Sequence, residues 1–414
     1  MKFTNPKKSW GKNLGDSPPP NPRPGTRPRT PFLLESQRSF LVIELKGKYN
    51  TAKVFNNNIE PGSIQQIEHL LNQEFTIGSK IRVMPDVHPG MGCPVGTTMT
   101  IRDKVVPNLV GLDIGCGMET VQLKDKRVNL QQFDKIVRKY IPAGLKVRQE
   151  PHHMADEVDL SELRCAKHVN MYRAALSVGT LGGGNHFIEL GQDEEGSKYL
   201  LVHSGSRSLG KQVCEFYQNA AAESLERKGK GADRFLAYLE GKLLEDYLHD
   251  MAIVQDYADL NRRAIVKELE KRKKLKIQNR FTTVHNYIDF NTMILRKGAI
   301  SAQKGEMVLI PMNMRDGSLI CVGKGNEDWN FSAPHGAGRR MNRADVKYNF
   351  TVHQFKAAME GVYSTTINAS TLDESPFVYK PPEEIIANIG DTVEIVKTLK
   401  PIYNFKAAEL QNER

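Results

Sequence analysis

Five short segments, far apart in the chain and mostly rich in glycine, each contain a residue that can bind a metal or act as a nucleophile. They are residues 111–117, 182–187, 202–207, 284–286 and 332–339. Glycine beside a polar residue lets the backbone approach a ligand closely, whereas a His or Cys used for core packing usually lies among larger apolar residues. The recurrence of this pattern indicates a catalytic metal centre.

The candidate metal donors are a carboxylate, a thiolate and three imidazoles. They belong to Asp113, Cys116, His186, His203 and His285. A thiolate can bridge two metal ions, and the set suits Mn, Zn, Fe or Co, so ligand type alone does not choose the metal. Taken singly, each histidine is more often a structural polar residue than a ligand, and their shared context favours the metal centre.

His335 lies in a loop of Gly, Ala and Arg residues, four positions before Arg339. An imidazole in such a loop can attack an activated phosphorus while the arginine screens phosphate charge. A further metal-binding histidine or an ordinary loop histidine fits the same spacing, so all three interpretations stay open at this point. Arg207, which follows the Ser-Gly-Ser segment 204–206, can bind phosphate with help from serine hydroxyls and loop amides.

Asp86 and His88 belong to a Pro-Asp-Val-His-Pro-Gly segment upstream of these motifs. They fit two interpretations equally well: outer residues that orient a metal-binding imidazole, or turn residues that use Asp and Pro-Gly chemistry. The remaining cysteines have no partner motif and are assigned no function. They are Cys93, Cys165, Cys214 and Cys321.

Composition predicts a soluble, cytoplasmic protein with no membrane-spanning segment, because no apolar run approaches the ~20 residues needed to cross a bilayer. The five scattered cysteines argue against a disulfide framework and for a reducing compartment. The formal net charge is +10. Residues 1–30 hold seven Lys/Arg and one Asp, which is 7 − 1 = +6 of that charge. The rest of the chain is only mildly basic, which supports nucleic-acid binding without proving it.

Two parts of the chain are expected: a flexible, basic, Pro-rich tail over residues 1–35 and a catalytic domain over residues 36–414. A helical insertion is expected at about 208–276, interrupted near 229–231. Further helices are predicted near 63–73, 130–141 and 155–175, with a helical run starting near Phe235 inside the insertion. Strands are predicted at 40–45, 199–203, 307–311 and 318–322.

The chain resembles the RtcB-type RNA-splicing and RNA-repair ligases from about Met84 to Lys406. The ordered set of motifs that carries the resemblance is residues 85–88, 113–117, 184–189, 203–207, 285–286 and 335–339. The resemblance implies an α+β fold with mixed β-sheets around a central metal site. It also implies two Mn(II) ions, GTP as cofactor, and joining of RNA ends that bear a 2′,3′-cyclic phosphate or 3′-phosphate to a 5′-hydroxyl.

By matching motifs, the resemblance implies that the five candidate donors bind manganese, with Cys116 bridging the two ions, and that His335 is the guanylylated residue. The resemblance places nucleotide contacts at Asn185, Glu189, Ser318, Tyr379 and Lys406, and RNA contacts at Arg207 and Arg339. An archease-type activator becomes a candidate partner, and a monomer is favoured. The chain departs from the family pattern at Asn313 and Asn342, where serine is frequent, which suggests a divergent branch acting on damaged RNA rather than tRNA halves.

Two other functions fit the residues. A metal-dependent phosphoesterase would use the same donors on RNA ends without GTP and would not need His335. An RNA-end-binding protein with a decayed site would depend on its basic tail, and its affinity would fall steeply with salt.

Overall fold

The computed structural model describes residues 42–231 and 233–407, so the expected tail at residues 1–35 lies outside the described residues. Eight α-helices occur in the described parts, together with short 3₁₀ turns. The helices are α1 Pro61–Leu71, α2 Leu130–Tyr140, α3 Met171–Ser177, α4 Arg207–Arg227, α5 Gly241–Lys273, α6 Val346–Asn349, α7 Val352–Ala358 and α8 Pro382–Asn388. None of these helices has both the length and the apolar character needed to cross a lipid bilayer.

Fifteen strands are found in the same residues. In chain order they are β1 Ile43–Lys46, β2 Thr51–Val54, β3 Ile81–His88, β4 Val95–Thr100, β5 Gly117–Leu123, β6 Phe187–Gln192, β7 Lys198–Ser204, β8 Ile277–Val284, β9 Asn286–Asp289, β10 Ile294–Lys297, β11 Ala299–Ser301, β12 Met307–Asn313, β13 Gly317–Gly323, β14 Ser332–Pro334 and β15 Val393–Lys406.

These strands form three sheets. A seven-stranded sheet runs in the order β12-β13-β15-β6-β7-β5-β8, and every pairing in it is antiparallel. A six-stranded mixed sheet runs in the order β1-β2-β3-β4-β10-β9, with β2 and β3 parallel. Strands β11 and β14 form a two-stranded sheet. Helices and several sheets therefore combine into the α+β fold that was expected, and of the two large sheets the six-stranded one is mixed.

The centre of the seven-stranded sheet is covered on both faces. Along β7, Leu200 and Val202 pack in a cluster with Ile265 of α5. Leu201, which points to the opposite face, packs with Leu309 of β12. Because a strand covered on both sides needs apolar residues at successive positions, the run Leu200–Val202 forms a buried strand, as the sequence predicted.

Two predicted helices differ from the structure. Residues 155–170 form three short 3₁₀ turns, and a helix begins only at Met171. Their polar, acid-rich sequence offers little apolar surface with helical spacing, which explains why isolated turns replace a helix. The run from Phe235 to Glu240 is not helical either; α5 starts at Gly241 and continues without a break to Lys273. The predicted interruption near residues 229–231 is confirmed, since α4 ends at Arg227.

Candidate functional site

Four neighbouring strands bring distant segments of the chain to one edge of the seven-stranded sheet. Cys116 precedes β5, His186 precedes β6, His203 lies near the end of β7, and His285 follows β8. The pairing register aligns these ends, because Gly117 lies opposite Ser204 on one side and Val284 on the other. The sheet therefore turns residues up to 169 positions apart in the sequence into neighbours.

The donor atoms of these residues form one buried cluster. The Cys116 sulfur lies 3.4 Å from Nε2 of His186 and 3.3 Å from Nε2 of His203. Nε2 of His203 lies 3.4 Å from Nε2 of His285, and Nε2 of His186 lies 2.9 Å from Oδ2 of Asp113. The structure thus brings together all five residues that the sequence identified as candidate donors.

Two of the imidazoles are oriented by backbone carbonyl groups. Nδ1 of His186 donates to the carbonyl oxygen of Leu181 at 2.9 Å, and Nδ1 of His203 donates to that of Asn185 at 3.1 Å. With the proton held on Nδ1, each Nε2 presents its lone pair to the cluster. Burial lowers the pKa of both His203 and His285 well below the usual value, so these imidazoles are neutral and can donate to a metal.

Asp113 lies beside the N-terminus of α4. Its Oδ1 accepts hydrogen bonds from the backbone N–H of Ser206 at 2.9 Å and from the Ser206 hydroxyl at 3.2 Å. Gly205 permits this approach, since a Cβ at that position would lie 2.3 Å from Oδ1. Burial alone would raise the pKa of Asp113, but the contact with His186 and nearby positive charge outweigh it and lower the pKa to about 2.

The donor chemistry fits two metal ions that share a thiolate. Cys116, His203 and His285 form one group of donors whose ligating atoms all lie within 4.8 Å of one another, and Asp113, Cys116 and His186 form a second. Cys116 is common to both groups. Burial raises the pKa of the Cys116 thiol well above its usual value, so a binding metal has to displace the thiol proton.

Helix α5 forms a wall behind this cluster, although the sequence indicated only a helical insertion. Arg262 is fully buried, and its Nη1 donates to the carbonyl oxygens of Gly115 at 2.6 Å and Ser204 at 3.1 Å. These two residues directly adjoin Cys116 and His203. The neighbouring Asn261 donates to the Ser204 hydroxyl and the Gly205 carbonyl. One turn of α5 therefore fixes the backbone of two donor-bearing segments.

Replacing Arg262 with methionine should weaken metal binding while the protein stays folded. The methionine keeps apolar bulk but cannot hold the two carbonyl groups, and loss of such outer contacts typically costs about 10- to 100-fold in metal affinity. Isothermal titration with Mn(II) measures the effect. Arg263→Met is the matched control, because Arg263 pairs with Asp259 and Glu157 and makes no hydrogen bond to Gly115 or Ser204. Equal affinities for the two variants would contradict the positioning role of Arg262.

His335 lies next to the donor cluster, and Asp86 holds it there. The His335 ring is 4.9 Å from the His285 ring, centroid to centroid. Asp86 Oδ2 accepts from Nδ1 of His335 at 2.6 Å and from the His335 backbone N–H at 3.1 Å. The turn interpretation of Asp86 is wrong, because Asp86 lies in strand β3. Asp86 does orient an imidazole, that of His335, whose own role stays a prediction. Nε2 of His335 has no hydrogen-bond partner in the part of the chain that the structure describes.

A pocket of about 1020 Å³ opens in front of the donor cluster and His335. Five buried polar atoms on residues that line it have no hydrogen-bond partner among the described residues: Glu60 Oε2, Glu189 Oε1, Ser318 Oγ, Arg339 Nη2 and Asn404 Oδ1. Buried polar atoms normally have partners, so unpaired ones in a pocket wall indicate a polar ligand. Asn185, Tyr379 and Lys406 line the same pocket, so all five predicted nucleotide contacts lie there.

Burial raises the pKa of Glu189 to about 8, although its hydrogen bond from Asn404 at 2.8 Å and the charge of Lys406 both favour the carboxylate. A carboxyl group in this state is poorly satisfied by the protein alone. A ligand that donates hydrogen bonds to it would complete its environment.

Glu374, which the sequence gave no reason to single out, organises the far wall of the pocket. It is 2% exposed, and its carboxylate binds the Lys406 ammonium, the Tyr379 hydroxyl at 2.5 Å and Arg343 Nη2 at 2.7 Å. Burial would raise the pKa of Glu374, but the positive charges of Lys406, Arg343 and Arg339 lower it strongly. Glu374 is therefore a carboxylate. Its three partners come from three separate segments, which leaves no local pattern to detect.

Arg207 and Arg339 differ in their surroundings. Arg339 lines the pocket, with Nη1 donating to the carbonyl oxygen of Asp373 at 2.9 Å. Arg207 does not line this pocket. Its guanidinium donates to the carbonyl oxygen of Gly144 at 3.2 Å and to the Thr180 hydroxyl at 3.3 Å. Its predicted contact with RNA stays a prediction.

The fold and this site define the class of protein: an α+β protein with a candidate two-metal centre beside a histidine and a polar pocket. Residues 66–168 and 153–407 match the family model described as tRNA-splicing ligase RtcB. The chain belongs to the RtcB family.

Its curated relatives cover most of the chain. RNA-splicing ligase RtcB of Escherichia coli strain K12 is 30% identical over 387 residues, which span 83% of this chain and 94% of that protein. RtcB2 of another Escherichia coli strain is 29% identical, over 84% of this chain and 93% of its own length. The tRNA-splicing ligase RtcB of Aeropyrum pernix is 27% identical, over 77% of this chain and 86% of its own length.

Proposed function

We propose that this protein is a GTP- and Mn(II)-dependent RNA ligase that joins 2′,3′-cyclic phosphate or 3′-phosphate ends to 5′-hydroxyl ends. The observation that carries the proposal is the position of His335. Its Nδ1 is bonded to a carboxylate, its Nε2 is free, and its ring adjoins a buried Cys/His/Asp cluster and a polar pocket. The printed names of the relatives, RNA-splicing and tRNA-splicing ligases, support the same activity.

In the first step, Nε2 of His335 attacks the α-phosphorus of GTP. The new N–P bond forms as the bond to pyrophosphate breaks, giving a histidine-guanylate. The imidazole becomes positively charged as it attacks, and the Asp86 carboxylate stabilises that charge through Nδ1–H. Glu189, Ser318, Asn185, Tyr379 and Lys406 are the proposed nucleotide contacts. Asp113, Cys116, His186, His203 and His285 would hold two manganese ions, which supply neutralisation of phosphate charge when bound.

In the following steps the guanylyl group passes to the RNA. An oxygen of the RNA 3′-phosphate attacks the guanylate phosphorus, the N–P bond to His335 breaks, and RNA-3′-pp-5′-G results. The 5′-hydroxyl of the second RNA end then attacks the 3′-phosphorus and expels GMP. A cyclic phosphate is first opened by water. Arg339 and Arg207 are the proposed contacts for RNA phosphates.

The proposal also covers the cellular compartment, the domain bounds and the partner of this enzyme. A cytoplasmic enzyme of RNA repair or tRNA splicing accounts for the free cysteines, all five of which are buried and unpaired. The catalytic domain spans residues 36–414 and works as a monomer, with an archease-type protein as activator. The 1–35 tail precedes it.

Asp86→Asn should slow guanylylation of His335 by about 10²- to 10⁴-fold, because a neutral amide neither stabilises the imidazolium nor fixes the proton on Nδ1. The measurement is single-turnover labelling with GTP radioactive at the α-phosphate. Asp328→Asn is the control, since Asp328 pairs with Lys53 and Arg82 outside the pocket. Unchanged labelling of Asp86→Asn would show that the 2.6 Å contact has no catalytic part.

The proposed activity is tested with two synthetic RNAs, one ending in a 3′-phosphate and the other beginning with a 5′-hydroxyl. With GTP and Mn(II), the expected product is a joined strand whose junction phosphate comes from the 3′ end. Label placed on that 3′-phosphate should become resistant to phosphatase. If the protein only removes the phosphate, or joins ends equally well without GTP, the proposed ligase activity is wrong.

A further inference from the structure

Asp86 holds two histidines of the pocket, not one. Its carboxylate binds Nδ1 of His335, while its backbone carbonyl oxygen accepts from Nδ1 of His88 at 2.8 Å. The rings of His88 and His335 lie 6.5 Å apart, centroid to centroid, and are inclined by only 24°. A single residue of β3 therefore sets the orientation of two nearly parallel imidazoles, and in both of them the nitrogen that remains is Nε2.

Nε2 of His88 is available to interact with a ligand. His88 lines the same pocket as His335, and its Nε2 has no hydrogen-bond partner among the described residues. Burial lowers the pKa of His88 to about 4, helped by the nearby positive charge of Lys380, whose ammonium donates to the carbonyl oxygen of Val87. The imidazole is thus neutral near pH 7, and Nε2 carries a lone pair that can accept a proton.

Other bases in the pocket are already engaged. Asp113, Cys116 and the three clustered histidines are the candidate metal donors, and Glu374 is bound to Lys406 and Arg343. Glu189 accepts a hydrogen bond from Asn404, and with a pKa raised to about 8 its carboxyl group already carries a proton near pH 7. Among the described pocket residues, His88 and His335 are the imidazoles whose Nε2 has no hydrogen-bond partner, and His335 is the proposed nucleophile of the first step.

The two imidazoles are neighbours in the pocket. Their ring centroids lie 6.5 Å apart and both residues line the pocket, so a phosphoryl group bound beside His335 is also close to His88. In the proposed reaction the RNA 3′-phosphate must reach His335 to receive the guanylyl group. The oxygen that later attacks this phosphate therefore arrives within reach of a base on the neighbouring ring.

We propose that His88 is a catalytic residue of the joining step, in which its Nε2 accepts the proton of the attacking 5′-hydroxyl. The inference rests on the proposed ligase activity. The 5′-oxygen forms a bond to the RNA 3′-phosphorus, and the bond from that phosphorus to the oxygen of GMP breaks. The bonding electrons leave with GMP, and the hydroxyl proton moves to His88. No other reactant is needed.

The test separates the joining step from the earlier ones. RNA-3′-pp-5′-G is prepared in advance and mixed with a 5′-hydroxyl RNA and His88→Gln protein in a single turnover. Because glutamine has similar length but cannot take up a proton, joining should slow by about 10²- to 10⁴-fold. Labelling of His335 by GTP, measured in parallel, should change far less. His153→Gln, at an exposed histidine remote from the pocket, is the control.

A second substrate distinguishes proton transfer from a structural role. An RNA with a 5′-thiol in place of the 5′-hydroxyl needs little help from a base, since a thiol has a pKa of about 8.5. The rate of joining by His88→Gln, relative to the wild-type protein, should therefore recover markedly with the thiol substrate.

Three outcomes would overturn the inference: normal joining by His88→Gln, an equal deficit with both nucleophiles, or an equal loss of His335 labelling. If wild-type protein forms neither a labelled histidine nor a joined product, the ligase proposal itself fails, which is a different result.

Discussion

His335→Gln should abolish the joining of RNA ends while leaving the metal centre and hydrolysis of a 2′,3′-cyclic phosphate largely intact. The substituted side chain cannot form the N–P bond, and loss of a covalent nucleophile commonly costs more than about 10⁴-fold in turnover. Opening the cyclic phosphate requires water but no guanylate. The five candidate donors do not include His335, although the His335 and His285 rings lie 4.9 Å apart.

This variant also separates the ligase from the phosphoesterase that fits the same donors. The two activities are followed on one RNA substrate with a 2′,3′-cyclic phosphate, by gel mobility for joining and by phosphatase sensitivity for ring opening. His353→Gln, in α7 and away from the pocket, controls for the loss of a histidine. If phosphate release from RNA ends were the main activity and were indifferent to His335→Gln, the phosphoesterase would be the better account.

Cys116→Ala should remove every metal-dependent activity, because this thiolate belongs to both groups of donors. Without it, one group keeps two imidazoles and the other keeps one imidazole and a carboxylate. Neither is a set of three protein ligands, the number that catalytic zinc sites typically retain. Manganese content should fall from two ions per chain to fewer than one, and joining, guanylylation and ring opening should all fall by more than about 10³-fold.

Metal content is measured by elemental analysis after gel filtration, on protein shown to be folded by circular dichroism. Cys321→Ala is the matched control, since Cys321 is also fully buried but packs in an apolar cluster beside Ile310 and Ile385. A Cys116→Ala protein that still held two ions would show that the thiolate is not shared between them.

The sequence singled out the five residues that the structure brings together, because each lies in a short polar segment whose chemistry is local. Gly205 beside Ser204 and Ser206 is visible in the sequence, and the structure shows why a larger residue would collide with Asp113. Strand β7 could also be predicted from the sequence, because a run of successive apolar residues predicts a strand covered on both faces.

Residues whose partners are distant in the chain gave no such signal. In the sequence, Arg262 is one of several arginines in a charged helix. Only the packing of α5 against the edge of the sheet lets it donate hydrogen bonds to the carbonyl oxygens of Gly115 and Ser204. Glu374 likewise appears in an ordinary polar stretch. For Asp86 the sequence left two interpretations open and could not name the imidazole that it orients, because His335 lies 249 positions away.

Covalent guanylylation of His335 can be detected on the purified protein. The purified protein is incubated with Mn(II) and GTP labelled at the α-phosphate, digested, and the labelled peptide is sequenced by mass spectrometry. We expect a single GMP group on His335, in a bond that survives alkali and is lost in acid. No adduct under any divalent metal, or an adduct on another residue, would contradict it.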